Sequence, residues 1–147
     1  MTVQTNRQRI TDFFKVFYAM DLDGLMAFYS DDIDYVSFVP VDIIPHLGNR
    51  RGKVQLRETF QIIHSRYSRM RYEVAAMIAE EDRVATMVRV FFQKALRDRI
   101  VQMDIANFYT LRDGLIVQQR EFLDSYDLVQ QILETDIASV IRQPTQN

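Results

Sequence analysis

Apolar residues return every three or four positions in the first part of the chain and every second position through much of the rest. Over 6–20, Ile10, Phe13, Phe14, Phe17 and Tyr18 recur at helical spacing, which predicts an amphipathic helix that Thr5 or Asn6 can cap. Asp21-Leu22-Asp23-Gly24 breaks it, and a short second helix with Leu25, Met26, Phe28 and Tyr29 follows, ended by Asp31-Asp32. The stretch 33–39 is β-branched and aromatic and reads as a strand. Pro40, Pro45, Gly48 and Gly52 mark 40–52 as a loop. A third helix is predicted over 53–67, with Leu56, Phe60, Ile63 and Tyr67 on one face. Four strands follow, near 70–79, 83–94, 99–112 and 115–123, then a last helix from about Ser125 carrying Leu128, Val129, Ile132, Leu133, Ile137 and Val140. The tail 142–147 is polar and is expected to fray.

Turn chemistry sets the pairing. Asp113-Gly114 between two apolar runs signals a hairpin. A two-residue turn there pairs Arg112 with Leu115, which carries Glu121 opposite Ala106 and Leu123 opposite Asp104. A turn at 95–98 pairs Lys94 with Arg99, so Arg89 faces Asp104 and Met87 faces Ala106. Because side chains alternate along strands, one face then gathers Met87, Arg89, Phe91, Asp104, Phe108, Gln119 and Glu121. Arg89, Asp104 and Glu121 lie within diagonal reach, a cluster that in a cleft could do acid–base work. The alternative is an ordinary cross-strand ion pair between Arg89 and Asp104 at a solvated edge, and a one-residue bulge would scatter the three. The opposite face, with Val84, Val88, Val90, Val101, Ile105 and Phe122, is too apolar for water. A second copy of the chain would cover it, so a homodimer through this apolar sheet face is expected.

At 147 residues the chain is expected to be one domain, 1–147, with its core over about 6–135. Three helices ahead of an antiparallel meander imply an α+β layer. An apolar fraction of 48% with four Gly and three Pro excludes disorder and collagen-like repeats. Zero cysteines exclude thiol catalysis, disulfides and thiolate metal sites, and suit a reducing cytoplasm. The first residues lack the order of a secretion signal, and no apolar stretch approaches the roughly 20 residues that span a bilayer, so no membrane is expected. A net charge of −2 gives no global surface for nucleic acid.

The two histidines, His46 and His64, show no ligand spacing, and no metal site is expected. His46, between Pro45 and Leu47, is either an acid or base over a pocket mouth or a solvated loop residue. Gly48-Asn49-Arg50-Arg51-Gly52-Lys53 could hold an anion at a helix start, or be a surface turn. The Tyr18 hydroxyl could reach a pocket, or the ring could pack in the core. Asp124 suits a helix cap better than catalysis.

The order helix, helix, strand, Gly-containing loop, helix and four-stranded meander resembles the cone of the nuclear-transport-factor-2-like proteins, also called cystatin-like. The resemblance spans about 6–135. Its telling pieces are Asp31-Asp32 at the first strand, Gly48 to Gly52 opening the third helix, and Arg112-Asp113-Gly114-Leu115-Ile116-Val117-Gln118-Gln119-Arg120-Glu121-Phe122-Leu123-Asp124. That last stretch is similar to the closing strand of SnoaL-like polyketide cyclases and limonene-epoxide hydrolases. The resemblance implies a curved, mostly antiparallel sheet wrapped around N-terminal helices, with a C-terminal helix and a pocket for a small hydrophobic molecule. It also implies cofactor-free isomerase, cyclase or hydrolase chemistry; the alternative is a non-catalytic binder or an interaction module. Glu121 matches the hydrolase's water-activating carboxylate. Tyr35 and Ser37 match its water-holding tyrosine and asparagine, with Ser37 a departure, and Arg89 falls near its bridging arginine. The second acid expected two residues later is Phe91 here, so Asp104 would replace it. The oxyanion-hole acid of ketosteroid isomerases falls at Ala106 or Asn107, which does not support that chemistry. Substrate contacts are then expected from Tyr35, Ser37, Tyr18, His46, Met87, Phe91, Phe108 and Gln119.

Overall fold

The computed structural model describes residues 2–142. Its elements run α1 (Val3–Tyr18), α2 (Leu22–Met26), β1 (Tyr29–Ser37), β2 (Asn49–Arg51), α3 (Gly52–Arg66), β3 (Tyr67–Glu80), β4 (Arg83–Lys94), β5 (Ile100–Arg112), β6 (Leu115–Leu123), α4 (Ser125–Leu133) and α5 (Ile137–Ile141). The six strands form one curved sheet in the order β2-β1-β6-β5-β4-β3, wrapped around the N-terminal helices in an α+β cone. Every neighbouring pair is antiparallel except β1 and β6, which run parallel.

Local chemistry explains where the elements begin and end. Thr2, rather than Thr5 or Asn6, caps α1, its Oγ1 accepting from the Thr5 N–H at 3.1 Å. Asn6 is instead buried and donates from Nδ2 to the Glu81 carbonyl. Asp21 caps α2, and Tyr29 opens β1, so Asp31 and Asp32 stand inside a strand instead of closing a helix. Asp113 and Gly114 both take positive φ, +53° and +77°, as the tight hairpin turn requires. The predicted last helix is two: Glu134, at φ +53°, breaks it, and its carboxylate is held there by Lys94 and Arg97. Asp124 caps α4 by accepting from the Asp127 N–H. Beyond Arg142 the expected fraying falls outside the described residues.

Two features of the sheet depart from the sequence reading. The β4–β5 register is as expected, with Arg89 opposite Asp104 and Met87 opposite Ala106. Between β5 and β6 the pairs Arg112–Leu115 and Leu111–Ile116 are followed by Thr110–Gln118, leaving Val117 as an extra residue in β6. Past that bulge Glu121 faces Asn107, not Ala106, and Leu123 faces Ile105, not Asp104. The alternation reverses, and Gln119 and Glu121 turn to the concave face while Phe122 turns to the outer one.

The second departure concerns the apolar face. Val84, Val88, Val90, Val101 and Ile105 are buried by the chain's own helices, so no second copy is needed to cover them. Phe122, placed by sequence on that face, is exposed on the other, where Phe38 stacks on it at 4.5 Å and Phe108 meets it edge-on. Phe13 of α1 is a hub of the core, with ring centroids 5.7–5.8 Å from those of Phe14, Phe28, Tyr29 and Tyr109. Replacing it with Ala removes a buried ring from several contacts at once. Phe13→Ala is expected to lose about 3–5 kcal/mol of stability, read by urea denaturation with an unchanged m-value.

Candidate functional site

The helices do not fill the cone. A cavity of about 520 Å³ lies between α1, α3, α4 and the concave sheet face, a size suited to a small organic ligand. Phe14, Phe17, Phe60, Leu128 and Ile132 give it apolar walls, and Tyr18, Tyr35, His46, Asn107, Gln119 and Glu121 supply its polar groups. Its exposed lining residues, Ser65, Arg66, Ala95, Leu96, Arg97 and Leu133, mark a mouth between the end of α3, the β4–β5 loop and the end of α4.

Among the described residues Glu121 is the acid on the concave sheet face that lines the cavity. Parallel pairing sets Ser37 of β1 beside it, and the Ser37 hydroxyl donates to Oε1 at 2.7 Å. The residue is only partly exposed and lines the cavity. Burial pushes its pKa above the ordinary 4.5, opposed by the Ser37 and Tyr35 hydroxyls. No cation is among the groups that set this value, unlike the Arg-bridged arrangement expected from sequence.

A buried relay stands next to it. The Tyr29 hydroxyl donates to Gln119 Oε1 at 2.7 Å, and Gln119 Nε2 donates to Asn107 Oδ1 at 2.9 Å. This fixes the Asn107 amide with its Nδ2 unbonded among the described residues, on the lumen wall opposite Glu121. Asn107, met in the sequence only as one of two positions lacking an oxyanion-hole acid, was not expected among the site residues, because the bulge that brings it opposite Glu121 has no mark in the residues themselves. Tyr109, buried one position pair away, also lines the cavity.

The structure therefore brings together Glu121, Ser37, Tyr35, Gln119, Tyr18 and His46. The Tyr18 ring stacks on Tyr72 at 4.4 Å, and the residue is part of the cavity wall. Burial and the nearby Glu121 raise its pKa. His46 is only 8% exposed, not solvated, and burial with the charges of Arg66 and Arg50 lowers its pKa to about 4. Its imidazole is neutral at physiological pH.

Arg89, Asp104, Met87, Phe91 and Phe108 stand apart from this group, on the outer face. Arg89 and Asp104 pair at 2.8 Å with side chains about half exposed, 50% and 49%. This is the solvated ion pair of the alternative reading, separated from Glu121 by the sheet. Phe91 packs under the Arg71 guanidinium at 3.9 Å, and Met87 and Phe108 face outward at 40% and 56% exposure. The basic turn at 48–53 spends its charges on the chain itself: Arg51 pairs with Asp34, Lys53 with Asp31, and Arg50 donates to the Pro45 and His46 carbonyls. Among the described residues no three His, Asp or Glu side chains converge as metal ligands do, and no helix is long and apolar enough to cross a membrane.

Comparison with known proteins agrees with this architecture. A family model described as a SnoaL-like domain matches residues 10–119. A provisionally assigned isomerase from Rhodopseudomonas palustris is similar in structure, with a TM-score of 0.78 and 26% identity, covering 88% of this chain and 97% of that one. A nuclear-transport-factor-2-like protein from Burkholderia xenovorans gives 0.71 and 23%, covering 89% and 98%. An LEH-like epoxide hydrolase from M. tuberculosis gives 0.73 and 18%, covering 95% and 97%; these last two show the fold alone. Among curated proteins none matches by sequence.

With Arg89 and Asp104 solvent-exposed and outside the cone, Arg89→Gln and Asp104→Asn are each expected to leave the melting temperature unchanged within error, as parallel thermal melts would read.

Proposed function

The chain belongs to the SnoaL-like domain family, and from that premise we propose that it is an enzyme working by acid–base chemistry on a small hydrophobic molecule, as an isomerase, cyclase or hydrolase. The observation that carries this reading is Glu121, a carboxylate with no cation to neutralise it, set in the wall of an apolar cavity and aimed by Ser37. A carboxylate in water is a weak base. Partial desolvation raises its proton affinity toward the working pH, where general-base catalysis is most effective.

In this mechanism Glu121 takes a proton from substrate carbon or from a water beside it. Ser37 and Tyr35 steady the carboxylate and limit its rotation. Negative charge then develops on a substrate oxygen. The Asn107 amide, held by Gln119 and Tyr29, supplies a preorganised donor for it. The chemistry requires only these side chains.

A generic substrate can test the base without knowledge of the natural one. In 5-nitrobenzisoxazole a base removes the ring C–H proton, the N–O bond breaks, and a coloured nitrile-phenolate forms. The wild type is expected to accelerate this over free acetate by about 10²-fold or more, with a rate that rises with pH through a pKa above 4.5. Glu121→Gln should remove the acceleration while the protein stays folded. Equal rates for the two proteins would overturn the base assignment and leave a binding protein.

Linkage gives a second expectation. The folded-state pKa of Glu121 is raised, so the native protein takes up this proton before the unfolded chain does. The stability linked to it is present at low pH and is lost as pH rises through the folded value. Glu121→Gln, which keeps an oxygen for Ser37, is therefore expected to be more stable than wild type at neutral pH. The gap should close as pH falls toward 4.5. Urea denaturation across that range measures it.

A further inference from the structure

The mouth of the cavity carries a charge pattern that the acid–base reading leaves unused. Its lining holds three cations, Arg66, Lys94 and Arg97, against the single carboxylate of Glu134, in a chain whose net charge is −2. Two of the three are already engaged. Lys94 Nζ donates to the Gln131 and Ile132 carbonyls and to Glu134, and Arg97 pairs with the same carboxylate. Arg66, the last residue of α3, makes no side-chain hydrogen bond or ion pair among the described residues.

The neighbour of Arg66 on the cavity wall is unusual too. His46 is more than nine-tenths buried; its Nδ1 is enclosed without a partner, and its Nε2, which is not enclosed, makes no hydrogen bond among the described residues. Its backbone is clamped, the carbonyl accepting from Thr59 Oγ1 at 2.7 Å and from Arg50 Nε at 3.2 Å. The proximity of Arg66 helps keep the ring neutral. A neutral ring beside an unengaged guanidinium offers a hydrogen bond without a second positive charge. The wall at Glu121 has the opposite character, since no cation is among the groups that act on that carboxylate.

We propose that the natural ligand is an apolar molecule with a single anionic oxygen group, a carboxylate or a similar oxyanion, received at the cavity mouth by Arg66 beside His46. Coulomb forces orient such a ligand. The anion is attracted to the rim and repelled by Glu121, so the uncharged body enters first and its far end reaches the base. Arg suits this task because its planar fork binds a carboxylate through two parallel hydrogen bonds. The inference rests on the cavity being a ligand site and adds the class of ligand to that reading.

Calorimetric titration with 2-naphthoate and its uncharged methyl ester at low ionic strength tests it. The wild type is expected to bind the acid at least about 10-fold more tightly than the ester, a preference that shrinks with added salt. Arg66→Gln should remove the preference and leave ester affinity within about twofold, and Arg66→Lys should restore part of it. Equal affinity for both probes in the wild type, or a preference that survives Arg66→Gln, overturns the anion assignment while ester binding still upholds the cavity. If neither probe binds, the ligand-site reading falls, and this inference with it.

Discussion

Side chains on a strand alternate between faces, and the site depends on where that alternation is interrupted. Val117 adds one residue to β6 opposite β5, and every side chain after it changes face. Ile116 before the bulge and Gln119 and Glu121 after it all point into the cone, which an unbroken strand could not achieve. With that one step in place, the remaining geometry follows from neighbours. Parallel β1 sets Tyr35 beside Gln119 and Ser37 beside Glu121, and antiparallel β5 sets Asn107 opposite the acid.

A polar group buried without a partner is destabilising, and next to Glu121 the cone satisfies its own with cross-strand bonds, whereas His46 Nδ1 and Thr86 Oγ1 stay unpaired among the described residues. Tyr29, Gln119 and Asn107 form a chain in which each carbonyl or amide oxygen that meets the interior accepts a hydrogen. Glu121 is the exception in kind: its charge has hydroxyl neighbours but no counter-ion. Evolution of a stable core alone would favour an apolar residue there. Helix α1 contributes Phe13, Phe14 and Phe17 both to the packed core and to the cavity wall, so the hydrophobic support of the sheet and the apolar lining of the lumen come from the same rings.

Much of the fold was legible from residue pattern. The spacing of Ile10, Phe13, Phe14 and Phe17 marks α1, and the Asp113-Gly114 turn fixes one end of a hairpin whose strands start and stop where alternation does. The 95–98 turn correctly sets Arg89 opposite Asp104. Family resemblance picked out Glu121, Tyr35 and Ser37, which do meet. Register past the bulge was not legible, because Val117 is an ordinary strand residue and nothing in its chemistry demands an extra position. That single unseen step moved Arg89 and Asp104 to the opposite side of the sheet from Glu121 and hid Asn107. The cover of the apolar face was misread for a related reason: strand pattern shows that a face is buried, whereas which element buries it is decided by how the sheet curves around α1 and α3. The capping of α1 by Thr2 rather than Thr5 or Asn6 is a smaller case of several polar residues competing for one local role.

The aromatic lining has an optical consequence. The chain contains seven tyrosines and no tryptophan, so its intrinsic emission has no indole to dominate it. Tyr18, Tyr35 and Tyr109 border the lumen, within the field of the Glu121 carboxylate. Whatever enters the cavity displaces solvent from these phenols and alters that field, while the tyrosines outside it serve as an internal reference. The protein thus carries its own chromophores at the one place where occupancy matters, and an unlabelled sample reports on its contents through near-ultraviolet absorption and circular dichroism.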